Sequence, residues 1–218
     1  MSLRCTRALD ADHRGVAVPY GGRLAVQGMD DLIRPTQAMA RERGIVFTDE
    51  QAECVAGLFW RSCDEADQLV WEAFIADHLS ADQLTFLATS HYKLRPDGAL
   101  VDAASWREVF LRCRYTADGK IADAPTRPLL AFRGAAEENK HGVSWTLDPH
   151  EAAYFARNRV RVGEARVWSC WIPADRQLAR YSAEREVIAD VRGLKIRLAD
   201  SLTRRERACV WLQRRLAT

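Results

Sequence analysis

Near residue 128 the apolar side chains change period, and this limits the chain to an α+β arrangement with helices first and a sheet after. Before that point they recur at helical spacing. Thr48-Asp49-Glu50-Gln51 reads as a capping box, followed by Ala52, Val55, Ala56, Phe59 and Trp60. Asp64 to His78 repeats the pattern with Leu69, Val70, Ala73, Phe74 and Ile75. Ser80-Ala81-Asp82-Gln83 is a second capping box before Leu84, Phe86 and Leu87, and Ala103 to Cys113 carries Trp106, Val109, Phe110 and Cys113 on one face. A further helical stretch runs from Asp30 to Arg43, behind a glycine-rich start that reads as a partly extended arm. Turn chemistry at Lys93 to Gly98 interrupts the helices, and Asp118-Gly119 with Pro125 to Pro128 marks a connection. The expected division is a mainly helical region of unassigned role at 1–127 and a sheet domain at 128–218 closed by a C-terminal helix.

Short apolar runs dominate the second region. Leu129 to Phe132 reads as a buried strand that delivers Arg133 and Gly134 to its end. Gly142 to Thr146 is a short strand with the hydroxyls of Ser144 and Thr146 on one face. Asp148 then caps a helix with Pro149 in its first position, and Ala152, Phe155 and Ala156 line one side. Gly163 to Ile172 is a strand stopped by Pro173, and Leu194 to Leu198 alternates as another. Tyr181 to Ile188 reads as one strand running from a polar mouth into the core. On that reading Glu184 and Glu186 share a face, about 7 Å apart, opposite Arg185, Val187 and Ala189. The closing helix, from Leu202, sets Ala208, Cys209, Leu212 and Leu216 near one face, with arginines around it.

Composition removes several classes of function. With 32 basic and 30 acidic residues the net charge is near +2, which argues against a dedicated nucleic-acid partner. The arginines of the last segment have Trp211 as their only interleaved aromatic, so a solvated helix face is the simpler reading. The six cysteines form no CxxC pair and no cysteine-histidine cluster at zinc spacing, so free thiols and no bound metal are expected. The N-terminus lacks an apolar signal core and no apolar run approaches a membrane span. These features suit a reducing cytoplasm, and delivery into another cell by a specialised secretion system would leave no such mark.

The succession of Arg133-Gly134, Ser144-Trp145-Thr146 and Glu184-Arg185-Glu186 resembles the R-S-E group of ADP-ribosyltransferases, over about residues 128–198. The resemblance implies a split β-sheet domain and NAD as substrate, with ADP-ribose passed to a protein acceptor. It makes Glu186 the catalytic carboxylate that holds the ribose hydroxyl, and Ser144 the hydroxyl that orients it. Glu184 would orient an arginine acceptor, with Tyr181 packed against the incoming side chain. The NAD-binding set would be Arg133, Gly134, Ser144, Trp145, Thr146 and Phe155, with Arg133 on the phosphates and Phe155 as a ring for nicotinamide. Trp145 and Thr146 depart from the usual Ser-Thr-Ser. The same pocket would serve an NAD glycohydrolase, in which water is the acceptor. A nucleotide- or partner-binding module without activity is the alternative of a different class. A toxin or effector role fits the transferase reading.

Overall fold

In the computed structural model the described residues are 30–60, 63–92, 102–160, 163–206 and 208. The chain divides into two compact units between Arg114 and Tyr115. The division lies before the expected 127/128 boundary because the sheet begins with Thr116, ahead of the Asp118-Gly119 and Pro125 to Pro128 connection. The expected N-terminal arm up to residue 29 and the 93–98 turn lie outside the described residues, as does nearly all of the closing helix.

Among its described residues the first unit contains five helices: α1 (Asp30–Glu42), α2 (Asp49–Phe59), α3 (Cys63–Ile75), α4 (Ala81–His91) and α5 (Ala103–Arg112). Both capping boxes form. Thr48 Oγ1 accepts the Gln51 amide at 3.2 Å, and Ser80 Oγ accepts that of Gln83 at 3.2 Å, while each glutamine side chain returns to the cap amide. Each start is thereby fixed by residues three apart in sequence, so the local pattern is enough to find it. Helix α4 is buried from Gln83 to His91, and Phe86 at its centre lies 5.6 Å from the Phe47 ring and 5.2 Å from that of Phe59.

The second unit is built on one eight-stranded sheet: β1 (Thr116–Ala117), β2 (Lys120–Ile121), β3 (Leu129–Ala135), β4 (Ser144–Thr146), β5 (Arg166–Ile172), β6 (Gln177–Tyr181), β7 (Glu186–Ala189) and β8 (Ile196–Leu198). The order is β2-β1-β6-β7-β4-β3-β5-β8, antiparallel except between β1 and β6. Helix α6 (Pro149–Arg159) starts as expected, with the Asp148 carboxylate accepting the His150 amide at 2.9 Å. Helices and a mixed sheet agree with the α+β expectation. The sheet is continuous where a split one was expected, but it narrows between β3 and β4, which pair at Phe132 and Thr146.

Side chains of β3 alternate strictly between two cores. Leu129, Ala131 and Ala135 join Trp145, Leu147, Trp168, Cys170, Ile172, Val187 and Ala189 on one face. Leu130 and Phe132 meet Ala152 of α6 on the other. Gly134 lets the helix in: a Cβ there would stand 1.9 Å from the Ala152 carbonyl oxygen. Among the described residues no helix is long and apolar enough to cross a membrane. Cys54, Cys113 and Cys170 are free thiols, and burial raises that of Cys113 to about 12.

Candidate active site

Three neighbouring strands, β7, β4 and β3, bring the three motifs together. Register and alternation put Thr146, Glu186 and Tyr181 side by side on the face that α6 covers, with Ser144 two residues along from Thr146. Ser144 Oγ donates to Glu186 Oε1 at 2.6 Å. Both side chains are partly buried, and the carboxylate is held by a short, charge-assisted bond, with its Oε2 shielded from solvent.

Arg133 supports this pair from the opposite face. Its position in β3 has the parity of Leu129 and Ala131, and it pairs with Trp168, which belongs to the core away from Glu186. Its Nη1 donates to the Ser144 carbonyl at 2.7 Å and its Nε to that of Asn139 at 3.0 Å. The guanidinium thus fills the opening where β3 and β4 separate, and fixes the backbone of the serine that holds Glu186. Gly142 makes room for it, since a Cβ there would stand 2.3 Å from Nη2. The guanidinium that the resemblance puts on the dinucleotide phosphates is here engaged by backbone carbonyls, from the face opposite Glu186.

Other expected site residues also move. Tyr181 to Ile188 is not one strand. Strand β6 ends at Tyr181, residues Ser182 to Arg185 form a turn, and β7 begins at Glu186. Arg185 has a φ of 48°, a left-handed conformation that breaks the alternation, so Glu184 lies exposed on the turn rather than on the Glu186 face of a strand. Trp145 is 1% exposed on the face away from Glu186, its Nε1 donating to the Gly142 carbonyl at 2.8 Å; it is a core residue and not a nucleotide contact. The lack of a side chain at Gly134 is explained by α6 packing, which leaves a nucleotide no approach on that side. Tyr181 is 7% exposed and forms a wall beside Glu186, so an incoming side chain does not reach its ring. Thr146 keeps its place in the Glu186 row, but its Oγ1 accepts the Asp148 amide at 3.1 Å. Phe155 is 44% exposed beside Tyr154, and so is accessible rather than core.

Two residues beside Glu186, Asp148 and Arg185, have no functional role in the sequence reading. Asp148 Oδ1 caps α6, and its Oδ2 accepts from Arg185 Nη1 at 2.9 Å. The Arg185 carbonyl in turn accepts the Leu147 amide at 2.8 Å. Asp148 carried a signal as a helix cap, but its partner is 37 residues away and nothing in either local pattern joins them. No family model matches the chain, and neither the search of curated proteins nor that of solved structures returned a significant match.

Proposed function

We propose that the chain cleaves the bond between nicotinamide and ribose in NAD and transfers ADP-ribose to a protein arginine. The observation that carries this reading is the 2.6 Å bond from Ser144 Oγ to Glu186 Oε1 on adjacent central strands, with Arg133 on the serine's carbonyl. These are the residues on which the sequence resembles ADP-ribosyltransferases, in the same order and on neighbouring strands. The free thiols suit a reducing compartment.

In this reaction the C1′–N bond breaks and nicotinamide leaves as a neutral molecule with the electron pair. The ribose acquires oxocarbenium character. A fixed carboxylate stabilises a charge that exists only near the transition state, as in glycoside hydrolysis, and Glu186 is such a group. Its rotamer is set before substrate arrives, by a hydroxyl whose own backbone is tied to Arg133, so little reorganisation remains for the reaction to drive. A guanidinium nitrogen of the acceptor then bonds to C1′ and releases a proton to solvent. Water in the same place would yield ADP-ribose and a proton. Glu184, exposed at the turn, is the carboxylate assigned in this reading to hold an acceptor guanidinium in bidentate fashion.

The test is nicotinamide release from NAD. Glu186→Gln keeps shape and removes charge, and is expected to lower the rate on the order of 10²-fold or more with an unchanged unfolding midpoint. Undiminished turnover in that variant overturns the reading.

A further inference from the structure

We infer that the Asp148–Arg185 ion pair is a positioning device that fixes the turn bearing Glu184, and so decides whether arginine or water accepts the ribosyl group. The inference rests on the transferase reading above.

Its physical basis is the backbone of Arg185. A φ of 48° suits glycine or asparagine, and a long side chain at this position carries a steric cost. Glycine would make the same turn more easily. Arginine adds a guanidinium, and that group reaches Asp148, whose side chain is only 10% exposed. Asp148 is itself a fixed post. Its amide donates to Thr146 Oγ1 at 3.1 Å and its Oδ1 holds the first turn of α6 at 2.9 Å, which leaves Oδ2 for Arg185. The Leu147 amide grips the Arg185 carbonyl at 2.8 Å, so the residue is held by backbone and side chain together.

The other end of the turn is held independently. Asp118, at the tip of the β1–β2 hairpin, accepts the Ser182 amide on its Oδ1 at 2.6 Å. Within the turn the Arg185 amide donates to the Ser182 carbonyl at 3.1 Å. Ala183 and Glu184 form an exposed tip between these two anchors. Glu186, by contrast, is placed by the β4 and β6 ladders and by Ser144. Loss of the ion pair should therefore loosen Glu184 and leave Glu186 where it is. Cleavage of NAD needs only Glu186, whereas capture of the C1′ cation by arginine needs the acceptor held in line by Glu184. Misplacing an acceptor by about an ångström is enough to cost on the order of tenfold to a hundredfold in transfer.

Two variants of the full chain separate this from a purely structural role. Asp148→Asn retains a side-chain oxygen for the helix cap but removes the charge that binds Arg185. Arg185→Gly relieves the backbone and removes the guanidinium. With NAD and the guanidino compound agmatine as acceptor, both are expected to lose transfer by about tenfold or more, with hydrolysis by water within about twofold of wild type. Arg185→Lys should restore part of the transfer. Amide hydrogen exchange over residues 182–186 should quicken in both variants, while exchange in α6 stays as in wild type. Exchange over 182–186 unchanged in Asp148→Asn overturns the clamp itself. Transfer and hydrolysis falling in proportion overturns its role in choosing the acceptor. Wild-type protein that releases no nicotinamide overturns the transferase reading and the choice with it, a result that exchange data alone would not produce.

Discussion

In the helical unit a set of buried hydroxyls bonds within one turn, whereas in the sheet unit several polar side chains bond to groups dozens of residues away. Thr36, Thr85, Thr89 and Ser90 each donate to the carbonyl four residues back. Ser144 reaches Glu186 across 42 residues, Gln177 reaches the Arg127 carbonyl across 50, and Arg185 reaches Asp148 across 37. Polar groups closed locally leave a surface with nothing prepared for a ligand. Groups closed at long range depend on the fold, and they can hold a carboxylate in one rotamer at a partly buried place. One group of long-range polar links in the helical unit centres on Arg43, which stacks on Phe86 and donates to the Phe86 carbonyl, Thr89 and Ser90. There they serve packing, because the acceptors lie on one buried helix.

The largest effect that sharpens this contrast is on the apolar centre of the helical unit. Phe86→Ala removes a fully buried ring together with its contacts to Phe47, Phe59 and Arg43, and is expected to cost about 3–5 kcal/mol in urea unfolding. A cost below about 1 kcal/mol would mean that the intrahelical bonds, rather than packing, hold this unit.

Next comes the pH dependence of His91. Burial, followed by the nearby Arg43 charge, lowers its pKa from 6.5 to about 4. Neither ring nitrogen has a hydrogen-bond partner among the described residues. Since the folded pKa lies below the unfolded one, the unfolded chain binds the extra proton between these values. Stability is full above 6.5 and falls as pH drops toward about 4. The loss should approach roughly 3 kcal/mol and be largely absent in His91→Gln, as read from unfolding at several pH values. An equal loss in both proteins would assign the acid sensitivity to other groups.

A smaller effect probes the sheet unit. Gly134→Ala sets a methyl against the Ala152 carbonyl and should destabilise by about 1–3 kcal/mol as α6 is pushed from β3. Transfer to arginine should fall along with it, because α6 begins at Asp148, which holds the turn, while hydrolysis of NAD by water stays near that of wild type. The smallest effect is Thr48→Ala, about 1 kcal/mol by loss of the α2 cap, with no change in nicotinamide release. Altered release in this variant would break the separation between the two regions.

Legibility followed the same divide. The caps at Thr48, Ser80 and Asp148 were readable because cap, first turn and apolar face lie within a few residues. The strands bearing Arg133, Ser144 and Glu186 were readable as apolar runs, and their order along the chain survives in the adjacency of β3, β4 and β7. The Asp118-Gly119 pair was read as a connection, though Asp-Gly between short strands is a hairpin signal, and it forms the β1–β2 turn with φ values of 52° and 76°. Strand β6 carries no clean period in the sequence, because a bulge between Gln177 and Ala179 interrupts the strict alternation.

By itself, then, the sequence determined the helices with their caps, the passage from helix to sheet, and a serine and a glutamate carried on strands that could meet. Tertiary structure alone decided which face each residue serves. Alternation assigns faces only while φ stays negative, and the left-handed Arg185 takes Glu184 off the strand without changing any apolar residue. The carbonyls that hold Arg133 are available because β3 and β4 part beyond Phe132 and Thr146. Contacts between residues dozens of positions apart leave no period in the chain, and those contacts hold Glu186 and the turn beside it.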